Sequence, residues 1–212
     1  MFKGENSSHV VDRAASVRTA EAASSLSGLM LGPGDPARVP APFADRVMTD
    51  PYRPLKNAFG RFATGVAVAA CANARGGYTA ITVNSFASVS LEPPLVLWCL
   101  EMKASSFKDF IGAPAYSVSI LNDRQQAMSE RFARHSPEPL QPHEYELWLT
   151  GAPVLAERLA GFDCRVVDRH RSGDHVILVG EVVQFASSDG AALMYFASRY
   201  AKGPSTDGRE GA

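Results

Sequence analysis

Four neutral polar side chains lie close together near the middle of the chain. Asn84, Ser85, Ser88 and Ser90 fall within one short stretch and offer amide and hydroxyl groups that donate and accept hydrogen bonds without net charge. Such a set suits the edge of a heterocycle or a sugar-like chain. We therefore expect this stretch to contact a flat polar ligand.

A cationic set follows shortly afterwards. Lys103 precedes Ser105 and Ser106 where a short helix is predicted to begin. A lysine, two hydroxyls and free backbone N–H groups in one place favour a phosphate. Strand spacing can bring the two sets to opposite ends of one groove, with a polar ring at one end and a phosphate at the other.

Two predicted strands position these sets. Tyr78–Val83 and Leu95–Leu100 are rich in the residue types that suit a half-buried pleated surface. Pro93 and Pro94 cannot donate to a strand ladder, so they mark the entrance of the second strand. The residues between the strands are predicted to form a polar loop.

Six segments of the chain carry a resemblance to a known family. They are RFATGV (61–66), TVNSFASVSLEPPLVLWCL (82–100), KASSF (103–107), CRVVDRH (164–170), GDHVILVGEV (173–182) and, less closely, YFASRY (195–200). In this order and spacing, over about residues 52–203, the chain resembles the flavin reductase-like family. These are small NAD(P)H:flavin oxidoreductases that serve as reductase partners of two-component monooxygenases.

The resemblance implies a mainly β fold, a six-stranded antiparallel Greek-key split barrel (the FMN-binding split barrel) with a few flanking helices. It implies NAD(P)H-dependent reduction of flavin, with FMN or FAD as the flavin and NADH or NADPH as the hydride donor. It also implies a homodimer with flavin sites near the interface, and a flavin-dependent monooxygenase that receives the reduced flavin.

The polar sets and the resemblance together give the expected flavin-binding residues. These are Thr64, Thr82, Val83, Asn84, Ser85, Ser88, Val89, Ser90, Cys99, Lys103, Ser105, Ser106, Phe107, Arg199 and Tyr200. For Arg199 and Tyr200 the alternative is a surface arginine beside a core tyrosine. For Cys99 the alternative is a buried structural thiol, which is our interpretation of Cys71 and Cys164.

His175 is the expected catalytic residue, since its GDH motif matches the position that lies beside flavin and nicotinamide in the resembling reductases. The alternative is a strand-end histidine bonded to Asp174. Hydride transfer needs no nucleophile or strong base, because the cofactors carry the chemistry and the protein supplies position and charge. The chain contains no GxGxxG, GxxxxGK[ST] or GxSxG motif, so Rossmann, P-loop and α/β-hydrolase interpretations lack their signatures.

Charge and cysteine content restrict the class of protein. Twenty-one basic and 22 acidic residues leave a net charge of −1, which gives no reason to expect nucleic acid or an anionic membrane as partner. The three cysteines are widely separated, and no Cys or carboxylate accompanies His135 or His143 at ligand spacing, so we expect neither a disulfide nor a metal site. A cytoplasmic location follows as the default.

The remaining pattern predicts short elements. Tyr52, Leu55, Phe59 and Phe62 give the predicted helix Tyr52–Ala63 one apolar face. A hairpin (65–83), a helix (105–111), a strand (115–121), a helix (123–133), a helical turn (153–159) and strands at 162–168 and 175–185 follow.

The predicted domain is 46–203, with a flexible tail at 204–212. An Ala/Ser/Gly/Pro-rich extension (1–45), containing a weak helix (10–30) and an extended linker (32–42), is expected to be mobile or to act as an arm.

Three functions remain open at this point: a flavin reductase, a non-catalytic flavin- or haem-binding split barrel, and an oxidase of the pyridoxamine-phosphate type. The choices between FMN and FAD and between NADH and NADPH are also open. A 2′-phosphate would need an arginine, for which Arg131, Arg134, Arg169 and Arg171 are candidates.

Overall fold

The computed structural model describes residues 50–206 and, before them, only the backbone pair Ser8–His9. The predicted weak helix at 10–30 and the linker at 32–42 lie outside the described residues, as does the tail beyond Thr206.

Strands dominate the described chain. The helices are α1 (Arg53–Phe59), α2 (Phe107–Gly112) and α3 (Gln126–Phe132). The strands are β1 (Ser8–His9), β2 (Thr64–Gly65), β3 (Ala67–Ala72), β4 (Tyr78–Val83), β5 (Ala87–Leu91), β6 (Pro94–Glu101), β7 (Ala115–Ile120), β8 (Tyr145–Leu147), β9 (Pro153–Leu155), β10 (Ala160–Ser172), β11 (His175–Ser187), β12 (Ala191–Phe196) and β13 (Arg199–Ser205). The prediction of a mainly β fold with a few helices is confirmed.

Seven strands form one antiparallel path in the order β4-β3-β7-β10-β11-β6-β5, with β1 paired beside β11. In two smaller sheets, β12 lies between β13 and β2, and β8 pairs with β9. The sequence predicts six strands, whereas this path contains one more.

The stretch that the sequence predicts as a polar loop contains the strand β5. It pairs with β6 from Ala87↔Leu97 to Leu91↔Pro94, with a bulge between Ser88 and Ser90. Most of β5 is exposed, so it lacks the apolar alternation by which a half-buried strand is recognised. The predicted helical turn at 153–159 is also wrong, because Pro153–Leu155 is a fully buried strand.

β4 and β5 stand at opposite ends of the path, yet only Asn84, Ser85 and Phe86 separate them in the chain. Such a link spans at most about 14 Å, so the two ends of the sheet meet here. Ser85 fixes the link to β6, since its Oγ accepts a hydrogen bond of 2.9 Å from the backbone N–H of Cys99. We call residues 83–87 the seam.

The core lies on one face of β6 and its neighbours. Val96, Trp98 and Leu100 are buried, whereas the residues that alternate with them, Leu97 and Cys99 among them, are only half-buried. The Trp98 ring packs edge-on against Phe110 and Tyr116. A second apolar cluster contains Leu121, Phe132, Leu140, Leu155 and Leu193.

Helix α1 is present as predicted, although it is shorter and its apolar face is exposed. No residue of α1 is buried. The exposed fractions are 61% for Tyr52, 47% for Leu55, 68% for Phe59 and 79% for Phe62. We call these four side chains the α1 face.

The loop that follows α3 is held at both ends. Arg131 donates bonds of 2.9 and 2.7 Å to the two carboxylate oxygens of Glu144, and its guanidinium lies 4.4 Å from the centre of the Phe132 ring. These hydrogen bonds hold the pKa of Glu144 below its ordinary value. The pair therefore closes the base of the loop 133–143.

No helix in the described part of the chain is long and apolar enough to cross a membrane.

We expect Glu144→Gln to lower the free energy of unfolding at pH 7 by about 1–3 kcal/mol, because Arg131 loses a mostly buried charged partner. The folded-state pKa of Glu144 lies below its ordinary 4.5. The contribution is therefore complete above that pH and is lost as the pH falls through the folded-state pKa. Urea unfolding of wild type and variant, at pH 7 and below pH 4.5, checks this.

Glu157→Gln is the matched control. Its ion pair with Arg124 has side chains 69% and 77% exposed, so we expect a change of less than about 1 kcal/mol. Equal midpoints for wild type and Glu144→Gln at pH 7 would contradict the assigned role of the pair.

Candidate functional site

A cavity of about 610 Å³ lies along the free edge of β4. Its walls are β4, the turn between β6 and α2 (Met102–Ser106) with Asp109 of α2, and the loop after α3 (133–140). We call it the β4 cavity. It contains four of the expected site residues: Thr82, Lys103, Ser105 and Ser106.

Lys103 and Ser106 form the part of the β4 cavity best suited to an anion. Ser106 is 7% exposed, and its Oγ is buried with no hydrogen-bond partner. Lys103 is exposed and takes part in none of the ion pairs within residues 50–206. A buried hydroxyl without a partner costs free energy unless a ligand or water bonds it.

Ser105 joins the two walls of the cavity instead of pointing to a free site. Its Oγ donates a hydrogen bond to the backbone carbonyl of His135 in the opposite wall. Phe107, also expected at the site, packs half-buried against the main core and does not line the cavity. Ser105 therefore holds the two cavity walls together, and Phe107 anchors the turn to the core.

Arg134 is a cavity residue that the sequence does not single out from the other candidate arginines. Arg131 forms an ion pair with Glu144, and the guanidinium of Arg169 donates a hydrogen bond to the backbone carbonyl of Ala113. Arg171 lies on the β10–β11 hairpin opposite Val176. Of the four, Arg134 alone lines the β4 cavity.

Thr82 and Tyr200 are linked through Ser129 in α3. Thr82 donates a 2.7 Å bond to the carbonyl of Ser129, and the hydroxyls of Ser129 and Tyr200 are 2.8 Å apart. Tyr200 packs edge-on against Tyr195 in the second core cluster. The alternative of a core tyrosine therefore describes Tyr200, while Arg199 beside it is exposed and lines neither cavity of the site.

A second cavity, of about 460 Å³, lies at the seam. It is lined by residues 62–67, residues 83–87 and Ile120, and we call it the seam cavity. Four expected residues, Thr64, Val83, Asn84 and Ser85, lie here. Thr64 Oγ1 is buried without a partner, as Ser106 Oγ is in the β4 cavity.

Only half of the neutral set, Asn84 and Ser85, lines a cavity, and this cavity is not the one that the cationic set lines. Successive residues of β4 line the two cavities, Thr82 the first and Val83 the second. Ser88, Val89 and Ser90 lie on β5 and line neither cavity; the Oγ of Ser90 accepts a hydrogen bond from Glu92 N. Cys99 is half-buried, and its backbone is bonded to Ser85.

His175 begins β11 directly opposite Glu101, which lines the β4 cavity. Opposed residues of an antiparallel pair lie on the same face, so His175 adjoins the cavity rim. Its Nδ1 is 2.7 Å from Asp174 Oδ1, which is the bond that the alternative interpretation predicts. That bond, and more weakly Lys103, lowers the pKa of the Asp174 carboxyl.

The residues fit a flavin nucleotide. Each cavity holds one buried hydroxyl without a protein partner, with a free cation in the first and an uncharged amide, Asn84, in the second. A phosphate needs the former combination and a heterocycle edge needs the latter.

Comparison with known proteins identifies the family of this chain. A family model described as flavin reductase like domain matches residues 59–204. The FMN reductase (NADH) SmoA of Agrobacterium fabrum is 40% identical over 143 residues, covering 68% of this chain and 81% of that protein. The reductase component of the flavin-dependent trigonelline monooxygenase of Acinetobacter baylyi is 35% identical over 148 residues, covering 70% of this chain.

The chain spans about half the length of that Acinetobacter baylyi protein, 48%, and the same share of a probable flavin reductase of Rhizobium meliloti. Among solved structures, the Streptomyces globisporus NADH:FAD oxidoreductase SgcE6, in complex with NAD and FAD fragments, is 30% identical. It superposes with a TM-score of 0.67 over 77% of this chain and 99% of that one. The chain therefore belongs to the flavin reductase-like family.

Proposed function

We propose that this chain reduces FMN or FAD at the expense of NAD(P)H, by hydride transfer from nicotinamide C4 to flavin N5, and supplies the reduced flavin to a partner monooxygenase. Its family supports this, as do the names of its relatives, which specify NADH-dependent reduction of FMN in one and of FAD in another. The observation that carries the proposal is the buried, unpartnered hydroxyl of Ser106 beside the free cation of Lys103.

Lys103 and Ser106 hold the flavin phosphate in this account. The ammonium group neutralises the phosphate charge, and Ser106 Oγ donates the hydrogen bond that it lacks in the protein alone. Ser105 and Thr82 do not contact the phosphate, since their hydroxyls bond the carbonyls of His135 and Ser129. They keep the two walls at a fixed separation.

The seam holds the polar edge of the flavin ring. In this proposal Thr64 Oγ1, Asn84 and the backbone N–H groups of the seam bond this edge and stabilise negative charge near N1, which the unpartnered Thr64 hydroxyl in the seam cavity supports. Flavin and nicotinamide supply the redox chemistry, so no side chain has to act as a nucleophile. Hydride transfer requires the reacting atoms to lie about 3–3.5 Å apart, so the part of the protein would be to hold the two rings stacked.

His175 orients the nicotinamide in this proposal. The Asp174 bond fixes the imidazole through Nδ1 and leaves Nε2 to bond the incoming nucleotide. Its place opposite Glu101 puts it at the rim of the β4 cavity.

The split barrel is our proposal for how the main sheet curls. The two ends of the strand path are joined by three residues, which supports a sheet that nearly closes and is split at the seam. Three free cysteines, Cys71, Cys99 and Cys164, support a reducing, cytoplasmic setting.

A homodimer completes the proposal. The α1 face exposes four large apolar side chains together, and Leu91 of β5 is 93% exposed. Large exposed apolar patches mark protein interaction sites, which supports placing the α1 face in an interface. A second copy of the chain is the partner that the family resemblance implies.

Oxidation of NADH and NADPH, followed by near-ultraviolet absorbance with FMN, FAD or no added flavin, tests the proposed activity. We expect consumption that depends on flavin and is faster with NADH. If neither nucleotide is consumed although flavin binds, the proposed activity is wrong and a binding module describes the protein better.

We expect Lys103→Ala to raise the dissociation constant of FMN about tenfold or more, because a charge-assisted bond to phosphate contributes about 1.5–3 kcal/mol. Turnover at saturating flavin should change less. Lys108→Ala, an exposed lysine of α2 outside the cavity, is the control and should bind FMN as the wild type does. Reduced turnover with unchanged FMN affinity would contradict the phosphate-binding role.

For the dimer, we expect Phe59→Ser to raise the dimer dissociation constant at least about tenfold, because a buried aromatic side chain would be lost from the interface. Leu147→Ser, which removes an exposed apolar side chain elsewhere (52% exposed), should leave it unchanged. Sedimentation equilibrium measures both. A wild-type protein that is monomeric at every concentration would rule the dimer out.

A further inference from the structure

Two free cations approach the β4 cavity from opposite walls. Lys103 belongs to the turn after β6, and Arg134 belongs to the loop after α3. Within residues 50–206, neither takes part in an ion pair. Charged side chains that share a cavity without partners of their own are free to bind an anion.

Two contacts hold the loop backbone around Arg134 near the turn that carries Lys103. The carbonyl of His135, the next residue, accepts a hydrogen bond from Ser105 Oγ in the opposite wall. The Arg131–Glu144 ion pair closes the base of the same loop. One of these contacts lies before Arg134 in the chain and the other follows it, so the backbone at Arg134 is held near the Lys103–Ser106 turn.

The other charges of the cavity leave room for an anion between these two cations. Asp109 is committed, because it accepts a 2.6 Å hydrogen bond from Thr79 and pairs with Arg75 at 3.4 Å. Glu101 and Glu138 also line the cavity and would repel an anion placed next to them. The favourable position is thus the one bounded by Lys103, Arg134 and the unpartnered hydroxyl of Ser106.

We propose that Arg134 makes this site select FAD over FMN, by binding the second phosphoryl group of the FAD diphosphate while Lys103 and Ser106 bind the first. This inference rests on the proposed flavin reductase function. Two cations on facing walls match an anion that is extended over two phosphoryl groups, whereas the single phosphate of FMN is satisfied by one wall. A guanidinium presents paired N–H donors to phosphate oxygens, which suits this role.

The competing role for Arg134 is binding of the 2′-phosphate of NADPH. Arg134 lines the same cavity as Ser106, whose buried hydroxyl is the proposed partner of the flavin phosphate. This shared position favours the flavin over NADPH as the ligand of Arg134. The 2′-phosphate lies on the adenosine half of the nucleotide, far from the ring that must reach the flavin.

Fluorescence titration of riboflavin, FMN and FAD, without nicotinamide nucleotide, tests the proposal. We expect Arg134→Gln to raise the FAD dissociation constant about tenfold or more, in line with one charge-assisted hydrogen bond. The FMN and riboflavin values should stay within about twofold of wild type. Arg124→Gln, which removes an exposed arginine outside the β4 cavity, should change none of the three.

Two results would overturn the role of Arg134 while leaving the reductase function intact: equal weakening of FMN and FAD, or no change in either. In the second case, a higher KM for NADPH would assign Arg134 to the 2′-phosphate. Failure of the wild type to bind any of the three flavins would instead refute the proposed function itself.

Discussion

The short link between β4 and β5 is the constraint on which the rest of the site depends. Three residues must join the two end strands of a seven-strand path, so the sheet has to curl until its ends meet. The hydrogen bond from Cys99 N to Ser85 Oγ then fixes the link to β6. Both cavities follow from this arrangement, one at the seam and one along the edge of β4 with which none of the described strands pairs.

Hydrogen bonding separates the residues that shape the site from those that are free to bind. The hydroxyls of Thr82, Ser85 and Ser105 are bonded to backbone groups on other elements. Two hydroxyls of the same chemical type, on Thr64 and Ser106, are buried without partners. Because burying an unbonded hydroxyl is unfavourable, these two atoms are the strongest structural support for the proposed flavin site.

The sequence predicts the strands whose alternation reflects burial on one face, such as β4 and β6, and it predicts the β3–β4 hairpin from its glycine turn. It misses β5, because exposed serines on an edge strand look like a loop. It predicts α1 from its apolar spacing, but spacing cannot tell a face that packs in the core from one left exposed. Arg134 and the Thr82–Ser129–Tyr200 link depend on contacts between distant parts of the chain, which local patterns do not report.

A crystal structure of the protein with FMN bound would show whether the two cavities hold the flavin. We expect the phosphate within hydrogen-bonding distance of Lys103 Nζ and Ser106 Oγ, and the ring at the seam beside Thr64 and Asn84. A flavin whose phosphate lies away from the Lys103–Ser106 turn, with Ser106 Oγ still unbonded, would contradict this expectation.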